Sequence, residues 1–184
     1  MAADIEKVEK HRLLHAAEIS LMLDKYDDIY SDFDPRPYTE RAISYDFLDE
    51  MKRASRDMQS GRIELKLMIP KHERSLAKEN FIRKRLHTHF KKHHNRLHDE
   101  INRLRIQGLF IAVIGFILMG TALFITDLNL SARLAAMVLV ILEPSGWFAM
   151  WFGFDKIFYS VGEKKSDMDF YNKMSRCEIT FTPY

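Results

Sequence analysis

The stretch IQGLFIAVIGFILMGTALFIT, residues 106–126, contains 21 residues and no charged side chain. As a helix it extends about 30 Å, at about 1.5 Å per residue, which matches the hydrocarbon core of a bilayer. A second 21-residue stretch, LAAMVLVILEPSGWFAMWFGF at 134–154, carries one charged residue, Glu143. Helices buried in soluble proteins rarely stay uncharged for so long. The sequence therefore predicts two transmembrane helices, at 106–126 and 134–159, joined by an outer turn at 127–133.

The charges that flank these helices predict their orientation. The segment 83–105 contains eight basic residues, whereas the turn contains one, Arg133. By the positive-inside rule we expect a multi-pass protein of the cell membrane with both termini cytoplasmic. Trp147, Trp151 and Tyr159 are expected to anchor the second helix at the membrane interface. The residues expected to contact anionic lipid headgroups are Arg83, Lys84, Arg85, Lys91, Lys92, Arg96, Arg103 and Arg105.

The remaining composition argues against several classes of protein. The N-terminus is polar and lacks the apolar core of a secretory signal peptide, so we expect none. The single cysteine, Cys177, excludes an intramolecular disulfide. The sequence contains no nucleophile–base pair, phosphate loop or dinucleotide fingerprint. We therefore expect no enzyme, no cofactor, no resident metal and no nucleic-acid partner.

Three short segments alternate apolar and polar side chains, which is typical of half-buried strands. They are AAEISLML at 16–23, RIELKLMIP at 62–70 and RCEITFTPY at 176–184. Between the first two, SYDFLDEMKRASRDM at 44–58 predicts an amphipathic helix with Ser44 as its N-cap. Strand, helix and strand predict a parallel pair joined by a right-handed crossover. The third strand can join this sheet only if both chain ends lie on one side of the membrane.

A long basic segment precedes the first apolar run. From Leu76 to Ile106 there is no glycine or proline, which predicts a juxtamembrane helix at 76–105 that continues directly into the first span. Phe90, Leu97 and Leu104 recur every seven residues, a spacing typical of coiled-coil contacts between protomers. The predicted fold is an α+β membrane protein. It comprises a cytoplasmic α/β domain at 1–75, the basic helix, a two-helix transmembrane hairpin, and a tail at 160–184 whose helix and strand join the α/β domain.

The stretch VILEPSGWF, residues 140–148, places an acid, a proline and a glycine inside the second apolar run. A regular helix would hold Glu143 near the bilayer midplane, where an ionised carboxylate costs roughly 3 kcal/mol. Pro144 removes a backbone donor and Gly146 adds freedom, so we expect a break at 143–146 with exposed carbonyls. Glu143, Pro144, Ser145 and Gly146 then form a candidate ion pathway on the axis of an oligomer. The alternative is a neutral Glu143 hydrogen-bonded to a neighbouring helix, with Pro144 as a packing kink.

Two polar clusters and one small-residue face complete the candidates. Histidines at i,i+4 on the basic helix could hold a metal ion, but neighbouring cations favour lipid contact, with pH sensing as a minor alternative. Five aspartates in DKYDDIYSDFDPRP, 24–37, lack the pattern of an EF-hand, which favours a solvated turn over a calcium site. A face of small residues on the first span predicts close helix packing. The histidines are His87, His89, His93, His94 and His98. The aspartates are Asp24, Asp27, Asp28, Asp32 and Asp34. The small residues of the first span are Gly108, Ala112 and Gly115.

Two stretches resemble known families. FDPRPYTERAI at 33–43, a strand that ends at Pro70, a basic helix, Gly146-Trp147, Trp151 and the C-terminal Glu178-Ile179 together resemble an uncharacterised group of small prokaryotic two-span membrane proteins. That resemblance implies a fold outline without an activity. Ile141-Leu142-Glu143-Pro144 is similar to the pore motif Trp-Asp-Ile-Met-Glu-Pro of the mitochondrial calcium uniporter. Leu139 and Val140 stand where the uniporter has Trp and Asp, so one of its two carboxylate rings is absent here.

Two functions are consistent with the sequence. In the first, a homo-oligomer is an ion channel or a proton or cation conduit in which Glu143 binds the cation. In the second, the hairpin is a non-conducting anchor, Glu143 is paired internally, and the cytoplasmic domain binds a partner. An intramembrane carboxylate is a candidate functional group by default, which slightly favours the first function.

Overall fold

The computed structural model describes residues 16–37, 40–56, 62–127 and 131–184. It is mostly helical, with one small sheet. The chain divides into two compact units, which we call the sheet unit (Met1–His93 with Phe170–Tyr184) and the helix-pair unit (His94–Asp169). The elements in chain order are β1 Ala16–Met22, a 3-10 helix Tyr26–Ile29, α1 Tyr45–Arg56, β2 Arg62–Ile69, α2 Leu76–Asp127, α3 Ala132–Asp155, a π-helix Lys156–Ser160, α4 Val161–Ser175 and β3 Glu178–Pro183.

The sheet has three parallel strands in the order β1-β2-β3. Ile19 lies opposite Leu65, and Leu65 lies opposite Ile179, so the apolar positions of all three strands fall in the same rows. Strand side chains alternate between faces, and this register therefore gathers the apolar ones on a single face. The three strands predicted from alternation are confirmed, as are the parallel β1–β2 pair and the entry of the C-terminal strand into the same sheet.

The core of the sheet unit forms between this apolar face and the helices. Ile82, Leu86 and Phe90, which recur every four residues near the start of α2, are all almost completely buried in it. Phe47 and Met51 of α1 belong to the same core, which confirms the amphipathic helix; residues 57–58 of the prediction lie outside the described part of the chain. The spacing interpreted as a coiled coil between protomers therefore has, at Phe90, a different origin: this side chain lies in the core of its own chain, with its ring centroid 6.5 Å from that of Phe170.

Two helices are long and apolar enough to cross a membrane, within Leu76–Thr126 and Ala132–Ser175. α2 runs unbroken from Leu76 to Asp127, which confirms that the basic helix continues into the first apolar run. The turn expected at 127–133 falls mainly on residues 128–130, outside the described chain. A tail helix and strand follow the second run, as expected, and they are α4 and β3.

The expected break at 143–146 is not observed. α3 is continuous from Ala132 to Asp155 with Pro144 inside it. Proline removes only one donor from the helical ladder, and the other backbone bonds remain available to hold the helix together. The Ser145 hydroxyl adds a bond to the ladder by donating to the Ile141 carbonyl at 2.7 Å. The irregular backbone lies instead after the apolar run, in the π-helix Lys156–Ser160.

Candidate functional site on the apolar helix pair

Within the helix-pair unit, α2 and α3 pack with their backbones in contact. A Cβ built on Gly153 would lie 2.6 Å from the Ala112 nitrogen and 2.6 Å from the Gly108 oxygen. A Cβ built on Gly115 would lie 2.6 Å from the Met150 nitrogen. These distances are too short for any side chain, so the close approach requires glycine. The small-residue face predicted on the first run is thus a packing surface, and Gly146 and Gly153 form its counterpart on α3.

Glu143 lies beside this packing surface and is exposed. It is three residues from the buried Gly146, which places it about 60° away around the helix. The large side chains three residues before and four residues after it, Val140 and Trp147, are apolar and are 72% and 56% exposed. No described residue makes a hydrogen bond or an ion pair with the Glu143 carboxylate. Within the part of the chain that the structure describes, the Glu143 carboxylate therefore lacks a polar partner.

The other three residues of the expected ion pathway have structural roles. Pro144 is exposed within an intact helix. The Ser145 hydroxyl is engaged by the Ile141 carbonyl. Gly146 packs against α2, where a Cβ would lie 2.8 Å from Met119 Cγ. The motif therefore exposes one carboxylate and does not open a set of backbone carbonyls.

Aromatic side chains cover the outside of α3 towards its C-terminal end. Trp147, Trp151 and Tyr159, the expected interfacial anchors, are 56%, 64% and 72% exposed. At the same end the Lys156 ammonium lies 3.3 Å from the Gln107 side-chain oxygen and 5.4 Å from the Phe152 ring centroid. Large aromatic surface next to a lysine is typical of a helix end at a headgroup layer.

The eight basic residues expected at lipid headgroups divide into two groups. Arg83 donates from Nε to the Ile179 carbonyl at 2.9 Å, and Arg85 donates to the Arg41 carbonyl and stacks 5.0 Å from the Tyr30 ring. These two guanidinium groups therefore hold α2 to the rest of the sheet unit. The other six are exposed and are Lys84, Lys91, Lys92, Arg96, Arg103 and Arg105.

Two of the five histidines, His89 and His93, form an aromatic stack with Tyr171. In the sheet unit the His93 ring stacks on Tyr171 with centroids 5.1 Å apart, and His89 lies 4.2 Å from His93. Burial, together with the neighbouring His93, Arg85 and Lys92, lowers the pKa of His89 to about 4. Among the described residues no three His, Cys, Asp or Glu side chains are grouped closely enough to hold a metal ion. Packing is the role that these contacts support.

Acidification is expected to destabilise the sheet unit through His89. Between its ordinary pKa of 6.5 and the folded value of about 4, the unfolded chain binds a proton that the folded chain excludes. The free energy of unfolding therefore falls as the pH falls through that window. Thermal unfolding followed from pH 7 to pH 4 should show a weaker pH dependence in His89→Gln than in the wild type. His98→Gln, at an exposed position, is the control; identical slopes in wild type and His89→Gln would contradict the assignment.

The acidic stretch 24–37 is a structured turn. Asp28 accepts the backbone N–H groups of Asp24 and Lys25 at 2.8 and 2.9 Å. Asp34 accepts from the Arg36 side chain and from the Ala42 N–H, and these bonds hold the pKa of Asp34 well below its usual range. Carboxylates that close their own turns in this way support the solvated turn favoured by the sequence.

A buried network was missed by the sequence analysis. Glu79, 2% exposed, accepts from Arg74 Nε at 2.9 Å and Nη2 at 3.0 Å, and from the Tyr26 hydroxyl at 3.2 Å. Tyr26 also accepts the Ser75 N–H at 2.9 Å. The Arg74 bonds lower the pKa of Glu79. Arg74 and Glu79 are five residues apart across the start of α2, but Tyr26 is about fifty residues away from both. No pattern in the local sequence therefore predicts the network.

Comparison with protein families, with curated proteins and with solved structures finds no match to this chain. The contacts described above are therefore the basis for its functional assignment.

Proposed function

We propose that this chain is a multi-pass protein of the cell membrane in which α2 and α3 form a transmembrane hairpin and both chain ends are cytoplasmic. The exposed side chains of the two apolar runs support this placement, because exposing so much contiguous apolar surface to water is energetically unfavourable. They include Leu109, Phe110, Ile117, Leu123, Val140, Ile141 and Phe148, each more than half exposed. The six exposed basic residues of α2 are suited to anionic headgroups on the cytoplasmic side.

The hairpin works as a homo-oligomer. The observation that carries this proposal is the exposed Glu143, which no described residue pairs. An ionised carboxylate facing lipid costs roughly 3 kcal/mol, and a protonated one still seeks a hydrogen bond. A second protomer packed against this side of α3 supplies a polar partner, which includes the Glu143 of that protomer.

The function that the geometry supports best is a membrane-anchored scaffold. The sheet unit has its own core, which includes twenty buried residues among those described, so this unit is the part that the hairpin anchors to the membrane and that binds a partner. A conducting site would need several polar groups along a path, and the apolar run of the continuous α3 contains one charged group, the Glu143 carboxylate. A proton or cation conduit is the second candidate, favoured by that one unpaired acid in an apolar run.

Glu143→Leu is expected to weaken the homo-oligomer by about 1 kcal/mol per contact, because it removes a polar contact between helices. The measurement is native mass spectrometry of the full chain in phosphatidylcholine nanodiscs as the protein density is varied. Glu163→Leu, at an exposed acid of α4, is the matched control and should leave the oligomer unchanged. A wild-type chain that is monomeric at every density would refute the oligomer.

Flux measured on the same proteins distinguishes the two functions. The scaffold predicts that proteoliposomes of the wild type pass neither protons nor small cations above the level of empty vesicles. Flux in the wild type that persists in Glu163→Gln and disappears in Glu143→Gln would instead assign the conduit.

A further inference from the structure

A pocket of about 360 Å³ opens in the sheet unit at the carboxyl ends of β2 and β3. Its lining residues are Lys71, Arg74, Leu76, Glu79 and Pro183. Parallel strands point their carboxyl ends towards loops and helix starts, which is where open α/β sheets bind their ligands. The pocket is an open depression whose volume falls in the range of small-molecule sites.

The loop that forms the pocket is held in place before any ligand arrives. The Lys71 N–H donates to the Tyr184 carbonyl at 3.2 Å, and the Glu73 N–H donates to the Pro70 carbonyl at 3.0 Å. At the other end of the loop the Ser75 N–H is fixed by the Tyr26 hydroxyl. A loop anchored at both ends loses little entropy on binding.

The charges of the pocket favour an anion. Both oxygens of Glu79 are occupied, Oε1 by Arg74 Nε and Tyr26 and Oε2 by Arg74 Nη2, so this carboxylate is neutralised within the wall. No described residue accepts a hydrogen bond from Arg74 Nη1, and no described acid pairs with the Lys71 ammonium. The lining therefore contains two cations with donors that no described residue takes, and one acid that is already paired. The unbonded N–H groups of the first turn of α2 add to the positive field.

The geometry points to a phosphate-binding site: we propose that Lys71 and Arg74, at the carboxyl edge of the sheet, bind the phosphate group of a small organic phosphate or of a phospholipid headgroup. Arg74 is oriented by its two bonds to Glu79, which leaves the outer nitrogen of its planar fork to donate to a phosphate oxygen. Lys71 contributes a mobile second charge. Leu76, 74% exposed, and Pro183 form the apolar wall on which the remainder of the ligand rests.

The test uses the full chain in phosphatidylcholine nanodiscs, titrated with inorganic phosphate in a calorimeter against a chloride blank. Lys71→Glu is expected to weaken phosphate binding by at least about tenfold, since it replaces an attractive charge with a repulsive one. Lys165→Glu makes the same charge change at an exposed position of α4 outside the pocket and should bind like the wild type. The melting temperature of each variant checks that it is folded.

The outcomes separate the two sources of phosphate. The titration with inorganic phosphate is repeated in nanodiscs that contain phosphatidic acid. If the phosphate signal is lost in these nanodiscs and returns when phosphatidic acid is omitted, the lipid headgroup is the ligand. If phosphate binding is unchanged, the ligand is a soluble phosphate. The proposal is overturned if the wild type binds no phosphate, or if Lys165→Glu weakens binding as much as Lys71→Glu does.

Discussion

Replacing Gly153 by leucine is expected to force α2 and α3 apart and to lower the free energy of unfolding by about 3 kcal/mol. A Cβ at this position would lie 2.6 Å from the Ala112 nitrogen, 2.6 Å from the Gly108 oxygen and 2.8 Å from the Ala112 Cβ. Two of these atoms are backbone, so no rotamer change can relieve the overlap. Close backbone approach supplies much of the attraction between helices in a bilayer, where no hydrophobic force joins them.

The measurement is thermal unfolding of the full chain in detergent, followed by the fluorescence of Trp147 and Trp151 on α3. Gly120→Leu is the matched control, because it makes the same substitution in the apolar run of α2, where nothing lies within 4 Å of an added Cβ. We expect the control to melt close to the wild type. Equal losses of stability in both variants would show that glycine content, and not the backbone contact, governs the pairing.

Replacing Arg74 by leucine is expected to produce the second large loss, because it leaves the Glu79 carboxylate buried with only the Tyr26 hydroxyl as partner. A buried charge without its counter-ion costs about 3 kcal/mol. Urea unfolding at pH 7 of wild type and Arg74→Leu measures this difference. Arg53→Leu is the control: it breaks an ion pair with Glu50 whose side chains are 77% and 54% exposed, and such pairs contribute little.

The pH dependence of the same variant supplies an independent check. In the wild type the pKa of Glu79 is lowered, chiefly by the Arg74 hydrogen bonds. The ionised Glu79 therefore stabilises the fold at pH values above the pKa that Glu79 has in the unfolded chain. This contribution is lost as the pH falls through the lower pKa that Glu79 has in the folded chain. Without Arg74, burial raises the pKa and Glu79 becomes protonated more easily. The stability gap between wild type and Arg74→Leu should therefore begin to shrink above the ordinary pKa of glutamate, where Glu79 of the variant becomes protonated, and should shrink further as the pH falls through the lowered pKa of the wild type. A gap that stays constant would show that lost packing, and not charge, causes the destabilisation.

Local periodicity determined the elements of this protein. Alternation at 62–69 is enough to predict β2, since a strand sends successive side chains to opposite faces. Two apolar runs of 21 residues, with Glu143 as their one charged residue, are enough to predict two long apolar helices, because the length and the composition of a helix lie entirely within its own segment. The absence of glycine and proline from 76 to 106 is enough to predict that α2 continues unbroken, because nothing in that segment interrupts its ladder.

Periodicity did not determine which surface each side chain meets. Phe90 repeats at seven as a coiled-coil residue would, but it is buried in the core of its own chain, where α4 brings the Phe170 ring to it. Arg83 reads as a headgroup contact, but the Ile179 carbonyl, 96 residues away, takes its Nε–H. Pro144 predicts a break in the helix, but α3 is continuous because the loss of one backbone donor leaves its other hydrogen bonds in place.

Tertiary structure alone assembled the sites. Tyr26, Arg74 and Glu79 meet because the 3-10 helix, the loop after β2 and the first turn of α2 converge, and each separate segment looks ordinary. Gly108 and Gly153 meet because two helices approach more closely than any side chain allows. The local sequence determines which secondary structure a segment forms. Burial of a side chain and its hydrogen-bond or ion-pair partners depend instead on which distant residues the fold brings within a few ångströms. That dependence is why the elements followed from the sequence and the pocket, the ion-pair network and the exposure of Glu143 did not.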